Sequence, residues 1–199
     1  MMEDASDIAY HMPFLEKCAS RAGIIVEIGV GHGNGSTRAF ARGLARSTKE
    51  PKMHIGVDPD PDRPQERPAL FTQVVGKAED EMTADIVDDI VRSRKMSYIN
   101  GRPSIIFIDT IHTHEQMSME MPVWFDQADE DTLWLYHDTW LWGTYNRMTD
   151  AIKEFIADKD GWEYLDQSKL AHGMGLLRHR DGPWGWITPR EEEAPVAQV

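Results

Sequence analysis

Acidic side chains stand at the ends of several apolar segments in this chain. Four of these segments each carry one acid within them or at their carboxyl end: Glu27, Asp58, Asp109 and Asp138. In an open parallel sheet, ligands bind beyond the carboxyl ends of the strands, near the point where the strand order reverses. Any one of these acids could simply cap a following helix. Four acids at one sheet edge instead favour a ligand-binding site.

Histidines close to two of these acids could carry out proton transfer or bind a metal. The letters D-x-x-H-T-H begin at Asp109, so that His112 follows this acid by three residues, and His137 directly precedes Asp138. A neutral imidazole can take a proton near pH 7. Imidazoles and carboxylates are also metal ligands. Either histidine of the first segment could instead begin a helix and face solvent, and for His114 we favour that interpretation.

A glycine-rich turn joins the first apolar segment to a helix-permissive one. Its alternating glycines are Gly29, Gly31 and Gly33. Glycine lets the backbone approach a ligand closely and adopt a positive φ. A dinucleotide-binding turn requires G-x-G-x-x-G, but here the third glycine position falls on Asn34 or Ser36. The turn reads E-x-G-x-G-x-G from Glu27; a glycine-rich turn that binds nothing is the alternative.

The E-x-G-x-G-x-G pattern resembles the cofactor turn of class I S-adenosylmethionine (SAM) methyltransferases. SAM carries an ammonium group, and an acid such as Glu27 near the turn could pair with it. An acid in the place of Asp58 can accept hydrogen bonds from a ribose diol. The segment G-K-A-E-D at 76–80 is similar to the loop that lines the adenine in these enzymes, although Asp80 also suits a helix cap. The resemblance implies cofactor contacts at Glu27, Gly29, Gly31, Gly33, Asp58, Ala78, Glu79 and Asp109.

The D-x-x-H-T-H and Y-H-D-T segments resemble a narrower family, the cephalosporin hydroxylases and rhamnosyl O-methyltransferases. More loosely, they resemble the catechol-type metal-dependent O-methyltransferases. The resemblance covers residues 23–155 and implies a divalent metal, Mg²⁺ or Mn²⁺, at Asp109, His137 and Asp138, with His112 and Asp109 as catalytic residues. Those families usually have an acid, or an Asn after the strand-five Asp, where this chain has His137, and the alternative is that His137 is not a ligand. Magnesium prefers oxygen ligands, whereas imidazole suits Mn, Fe, Co or Zn, so this departure disfavours Mg²⁺.

A parallel sheet would bring these residues together. The apolar segments predict strands at 23–28, 53–58, 70–75, 104–109, 132–138, 162–165 and 173–177, and helices at 13–21, 36–45, 80–96, 115–126 and 145–157. This alternation predicts an α/β, Rossmann-like, doubly wound and mostly parallel sheet with helices on both faces and a final hairpin. We expect an N-terminal segment at 1–22, the main domain at 23–180, and a tail at 181–199 that is at least partly disordered.

Composition narrows the classes of partner. The 199 residues carry a formal charge of −13, which would repel a nucleic-acid backbone. The single Cys18 excludes an internal disulfide and a cysteine-based zinc site. The sequence offers neither a membrane-length apolar run nor the basic and apolar regions of a signal peptide. We therefore expect a cytoplasmic protein with a small-molecule partner, and a second subunit could close its site.

Three functional hypotheses follow. The first is a SAM-dependent O-methyltransferase that acts on a sugar-bearing or phenolic small molecule, with a divalent metal as a further expectation. The second is a nicotinamide-dependent oxidoreductase on the same architecture, which lacks both the G-x-G-x-x-G turn and an obvious Tyr-x-x-x-Lys pair. The third is a non-catalytic descendant that binds a ligand in the same cleft, and His137 at the metal position keeps it open.

Overall fold

The structure, a computed structural model, describes residues 7–64, 67–93, 101–140 and 147–188. The helices and strands alternate along the chain as α1 (Ile8–Ala19), β1 (Ile24–Ile28), α2 (Ser36–Arg46), β2 (Met53–Asp58), β3 (Phe71–Val75), α3 (Glu81–Ser93), β4 (Ile105–Ile108), α4 (His114–Phe125), β5 (Leu133–His137), α5 (Met148–Ile156), β6 (Trp162–Ser168) and β7 (Met174–His179). Within the described residues, no helix is long and apolar enough to cross a membrane.

The strands form one seven-stranded sheet in the order β3-β2-β1-β4-β5-β7-β6. The first five strands in this order run parallel, and Val26 of β1 lies between Ile55 of β2 and Ile106 of β4. Strand β7 is antiparallel to β5, and β6 pairs with β7 at the sheet edge. The strand order reverses between β1 and β4. The predicted Rossmann-like α/β fold and its final hairpin are confirmed.

Helices cover the sheet on both faces, which explains why its central strands are continuous apolar runs. Every residue of β1 and β4 is buried. Successive side chains of a strand point to opposite faces, so Val26 packs into the core beneath α3, α4 and α5, and Ile25 packs into the core beneath α1 and α2. The two apolar layers fix the strands and thereby the edge at which their carboxyl ends meet.

Helices α1 and α2 pack in direct contact at Gly43. A Cβ atom added to Gly43 would overlap the Cβ of Ala19 and the carbonyl oxygen of Glu16. We expect Gly43→Ala to lower the free energy of unfolding by about 1–3 kcal/mol through overpacking, although alanine favours helix more than glycine does. Urea denaturation measures this loss. Arg42→Ala, on the exposed side of α2, is the matched control and should stay within about 0.5 kcal/mol of wild type; equal stability of the two variants would contradict the prediction.

Residues 7–12 and 184–187 are more involved in the fold than the sequence indicates. Helix α1 begins at Ile8, five residues before the predicted start, because the Asp7 side chain accepts the first backbone N–H and Ile8 is buried. After β7, Trp184 and Ile187 are buried, and their carbonyl groups accept hydrogen bonds from the Arg178 guanidinium at 2.8 Å. The rest of the predicted disordered tail, 189–199, lies outside the described residues.

Candidate functional site

A cavity of about 430 Å³ opens at the carboxyl edge of the sheet, where the strand order reverses between β1 and β4. The glycine turn after β1, the ends of β2 and β3, and the start of the loop after β4 form its wall. Six of the predicted cofactor positions lie on this wall: Gly29, Gly31, Asp58, Ala78, Glu79 and Asp109. The fold therefore brings together residues that are up to 80 positions apart in the sequence.

The glycine turn allows the backbones of β1 and β4 to approach each other closely. Gly29 has a φ of +84°, and a Cβ there would collide with the carbonyl group of Asp109. The N–H of Gly29 donates to the carbonyl oxygen of Val57 at 2.9 Å, which holds the turn against β2. Only glycine satisfies both the positive φ and the close approach at this position.

Asp58 connects the turn to the cavity. Its Oδ2 accepts the backbone N–H groups of Val30 and Gly31 at 3.2 Å each, and its Oδ1 accepts the N–H of Asp60 at 2.9 Å. The side chain is buried and lies on the cavity wall. This carboxylate thus shapes the glycine turn and is placed to accept a hydrogen bond from a ligand.

Glu27 is placed behind the turn instead of in the cavity. Its fully buried carboxylate accepts hydrogen bonds from the hydroxyl groups of Ser36 and Thr37, and it contacts His54 Nε2 at 2.8 Å. Gly33 also lies off the wall, where its N–H closes the turn. Strand alternation explains the outcome for Glu27, because its side chain points toward α2 while its backbone leads into the turn. Direct contact of either residue with a ligand stays a prediction that this geometry does not favour.

Helix α4 fixes the loop after β3. The indole Nε1 of Trp124 donates to the carbonyl oxygen of Ala78 at 2.7 Å. The side-chain amide of Gln116 donates to Glu79 Oε2 at 3.1 Å and to Glu120 Oε1 at 2.7 Å. Because Ala78 and Glu79 lie on the cavity wall, these bonds set the shape of the part of the cavity that the sequence assigns to adenine.

Gln116 and Glu120 are wall residues that the sequence analysis missed. Both oxygens of Glu120 accept from the Thr110 hydroxyl, at 2.8 and 2.9 Å. Burial raises the pKa of Glu120 to about 6, and the bonds from Gln116 and Thr110 oppose that rise. Gln116 and Glu120 are four residues apart, which places both side chains on one face of α4. That spacing was the signal available in the predicted helix at 115–126.

Asp109, His112, His137 and Asp138 form a cluster of mutual contacts beside the cavity. His112 bridges two carboxylates, with Nε2 3.2 Å from Asp109 Oδ1 and Nδ1 3.2 Å from Asp138 Oδ2. His137 Nδ1 lies 3.3 Å from Asp109 Oδ1 and 3.3 Å from Asp138 Oδ1. The predicted catalytic pair and the predicted metal ligands therefore meet in one place. Asp109 belongs to both the cavity wall and this cluster.

Two further residues reach the cluster from distant parts of the chain. His172, in the turn between β6 and β7, has its Nδ1 2.6 Å from Asp7 Oδ2 and 3.5 Å from Asp138 Oδ1. Asp7 directly precedes α1. The sequence analysis missed both residues, because a contact between chain segments so far apart leaves no signal in local spacing.

The cluster residues fit a divalent metal. Two sets of three residues have ligand atoms within 4.8 Å of one another: Asp109, His112 and Asp138, and Asp7, His137 and Asp138. The ligand set that the resemblance implies is thus divided between two groups that share Asp138. His137 is 2% exposed, and its Nε2 has no hydrogen-bond partner in the part of the chain that the structure describes. Carboxylates with imidazoles suit Mn²⁺, Fe²⁺, Co²⁺ or Zn²⁺ better than Mg²⁺.

Burial and the neighbouring charges shift the pKa values of three cluster residues. Burial alone would raise the pKa of Asp109, but hydrogen bonds from His112 and His137 hold it well below its usual range. Burial opposes the charged form of His137, yet the adjacent Asp109 raises the pKa of His137 overall. Burial raises the pKa of Asp138. Asp109 therefore stays ionised and supplies negative charge next to two imidazole rings.

His114 lies apart from the cluster. It is the first residue of α4, and its Nε2 contacts Glu154 Oε2 at 3.0 Å. The helix itself is capped by Thr113, whose side chain accepts the N–H of Gln116 at 3.1 Å. This placement agrees with the interpretation that His114 begins a helix, and it makes His112 the histidine of this segment that is available for chemistry.

Family comparison identifies the class of domain. Residues 26–139 match a family model described as a methyltransferase domain. The chain belongs to this methyltransferase family. The match covers more than half of the chain, from Val26 before the glycine turn to Thr139 directly after Asp138. This membership favours methyl transfer over the nicotinamide-dependent alternative. No curated protein matches the sequence.

Solved structures share the fold of this methyltransferase domain. The methyltransferase PaMTH1 of Podospora anserina, bound to S-adenosylhomocysteine (SAH), has a TM-score of 0.58 at 13% identity and covers 86% of this chain and 78% of its own. CmcI has a TM-score of 0.56 at 20% identity, with coverage of 90% and 72%. MycE, from the mycinamycin biosynthetic pathway, was solved with Mg and SAH and has a TM-score of 0.53 at 17% identity, with coverage of 91% and 52%. At these identities the likeness shows the fold alone.

Proposed function

We propose that this methyltransferase-domain protein transfers a methyl group from SAM to a hydroxyl group of a small molecule that bears a sugar or a phenol. The observation that carries the proposal is the position of Asp109. This residue lies on the wall of the predicted cofactor cavity and also contacts His112 and His137. A ligand in the cavity would therefore lie directly beside groups that can handle a proton.

The cavity wall carries groups that would contact SAM. The turn at Gly29 and Gly31 lets a ligand approach the backbone closely, and Asp58 would accept a hydrogen bond from the ribose. Ala78 and Glu79, held from α4, would border the adenine. When bound, SAM supplies a methyl group on a positively charged sulfur. The acids on the wall complement that charge.

His112 is the proposed general base. Its ring is held at both nitrogens by Asp109 and Asp138, so its orientation is fixed before the acceptor binds. Only the neutral ring can act as a base, and only at the nitrogen that carries no proton. A hydroxyl group that reaches this nitrogen would replace the carboxylate contact there and pass its proton to the ring, while the other N–H stays bonded to its carboxylate, which would stabilise the imidazolium that forms. Aligning the hydroxyl group with the methyl group removes an entropic barrier in addition.

A divalent metal is the second part of the proposal. The resemblance assigns it to Asp109, His137 and Asp138, and the fold brings these side chains into contact. A bound metal would lower the pKa of the acceptor hydroxyl group as it lowers that of bound water. Solved structures of MycE and CmcI contain Mg together with SAH or SAM, which supports a metal in relatives of this fold. His137 in place of an oxygen ligand favours a metal other than Mg²⁺ here.

Calorimetric titration tests the proposal directly. Purified full-length protein is titrated with SAM, with SAH and with NADH, and release of SAH is then followed with a panel of phenols and glycosides. We expect SAM and SAH to bind, NADH not to bind, and at least one acceptor to be methylated. Failure of both SAM and SAH to bind would refute the proposal. Binding of SAM without turnover on any acceptor would favour the non-catalytic alternative.

A further inference from the structure

The carboxylate of Asp138 has two differently occupied sides. Its Oδ2 lies 3.2 Å from His112 Nδ1. Its Oδ1 lies 3.3 Å from His137 Nδ1 and 3.5 Å from His172 Nδ1. Asp138 also has a positive φ of 56°, a conformation that is uncommon for a residue other than glycine and is often kept at functional sites. The Oδ2 side thus contacts the proposed base His112, and the Oδ1 side faces two other imidazoles.

The Oδ1 side gains a second carboxylate from the start of α1. Asp7 uses its Oδ1 to accept the N–H of Ile8 at 2.8 Å, which leaves its Oδ2 directed to His172 Nδ1 at 2.6 Å. The ligand atoms of Asp7, His137 and Asp138 lie within 4.8 Å of one another. Two carboxylates and two imidazoles therefore converge from four separate segments of the fold.

The turn that carries His172 is held in place by the segment after β5. Ala171, His172 and Gly173 have consecutive positive φ values of 48°, 64° and 87°. A Cβ at Gly173 would lie 2.7 Å from the Trp140 nitrogen, and that N–H donates to the carbonyl oxygen of His172 at 2.7 Å. Glycine adopts a positive φ without strain, but this conformation is costly for Ala171 and His172. The strained turn directs an imidazole at Asp138, which is the placement that a metal ligand requires.

We propose that Asp7 and His172 join His137 and the Oδ1 side of Asp138 as ligands of a first-row transition metal. This set leaves out Asp109 of the resemblance-implied ligands, because the ligand atom of Asp109 groups with those of His112 and Asp138, whereas the ligand atoms of His137 and Asp138 group with that of Asp7. Two imidazoles with two carboxylates select Mn²⁺, Fe²⁺, Co²⁺ or Zn²⁺ over Mg²⁺. The inference rests on the proposed function in one respect: it leaves His112, on the Oδ2 side, to act as the base.

A bound metal would also link the start of α1 to the carboxyl end of β5 and to the β6–β7 turn. Asp7 and His172 both lie outside the region 26–139 that matches the family model, so the family region alone would lack half of this ligand set. Metal binding should therefore stabilise the contact between α1, the β6–β7 turn and β5, since a ligand that binds only the folded state stabilises it by mass action.

Titration of the metal-free full-length protein tests the inference without reference to activity. Mn²⁺ and Mg²⁺ are followed by calorimetry, and Co²⁺ by its visible absorption, all in the absence of SAM. Asp7→Asn keeps an oxygen that can cap α1 while removing the charge, and His172→Gln removes the imidazole. Asp160→Asn and His114→Gln are matched controls away from the cluster, because Asp160 pairs with Arg180 and His114 with Glu154. Asp138→Asn serves as a variant that should lose binding in either ligand set.

We expect Asp7→Asn and His172→Gln each to weaken Mn²⁺ binding at least about tenfold, and the two matched controls to stay within about twofold of wild type. Mg²⁺ should bind the wild-type protein more weakly than Mn²⁺ does. Wild-type affinity in both Asp7→Asn and His172→Gln would overturn the inference, as would the absence of Mn²⁺ binding or a preference for Mg²⁺. Titration with SAM is scored separately, so that a failure of the proposed function remains distinct from a failure of the metal site.

Discussion

Replacing Asp58 by alanine should abolish measurable SAM binding. The carboxylate accepts the backbone N–H groups of Val30, Gly31 and Asp60 and lies on the cavity wall. Its removal therefore takes away a ligand acceptor and loosens the glycine turn at the same time. A hydrogen bond to a charged group contributes about 1.5–3 kcal/mol, and the loss of the two bonds that a ribose diol could donate to Asp58 would weaken binding by more than about 100-fold. Calorimetric titration with SAM measures the change.

Two further variants separate the ligand contact from damage to the fold. Asp62→Ala removes a neighbouring carboxylate that is exposed and does not lie on the cavity wall, so it should leave SAM affinity within about twofold of wild type. Asp58→Asn keeps one side-chain oxygen for the turn and should bind SAM with intermediate affinity. Urea denaturation of all three variants shows whether the fold is retained. Wild-type affinity in Asp58→Ala would remove the cofactor assignment from this cavity.

Sequence patterns predicted the sheet well, because buried parallel strands give continuous local signals. The prediction for β2 matches the observed bounds Met53–Asp58, and the prediction for β4 is one residue too long at each end of Ile105–Ile108. Alternation with amphipathic helices then determines the Rossmann-like arrangement. The same logic placed Asp58 and Asp109 at the carboxyl edge, where both line the cavity. These inferences depended only on residues that are close in the sequence.

Side-chain direction and long-range contacts were the parts that the sequence could not supply. Glu27 stands next to the glycine turn, but its carboxylate bonds to Ser36 and Thr37 at the start of α2. Asp7 and His172 meet across 165 positions of the chain, and only the docking of α1 beside the β6–β7 turn creates that contact. The sequence thus predicted which elements surround the site, while tertiary packing decided which side chains enter it.

The structure describes only part of the aromatic segment that follows β5. Trp140 is described, and Lys169 Nζ lies 4.5 Å from the centre of its ring. Trp140, Trp142 and Tyr145 directly follow the acid that ends the predicted fifth strand, where the sequence predicts that an acceptor would lie, but Trp142 and Tyr145 fall outside the described residues. A role for these aromatic side chains in binding an acceptor therefore stays a prediction.

Replacing His112 by glutamine should lower the rate of methyl transfer by about 100- to 10,000-fold while SAM affinity stays near the wild-type value. The imidazole is the group that both Asp109 and Asp138 orient, and a side-chain amide cannot accept the proton of the acceptor. His114→Gln is the matched control, since His114 contacts Glu154 away from the cluster. Release of SAH with an acceptor identified in the panel of phenols and glycosides gives kcat for both variants.

The same His112→Gln variant distinguishes a base from a metal ligand. If the metal lies on the Oδ1 side of Asp138, with Asp7 and His172, then the variant should keep its Mn²⁺ affinity and lose only kcat. A parallel loss of Mn²⁺ affinity would instead place His112 among the ligands, and an unchanged kcat would exclude it from the chemistry altogether. Some activity should remain in the variant, because the cavity still aligns the two reactants and that alignment lowers the entropic barrier whether or not a base is present.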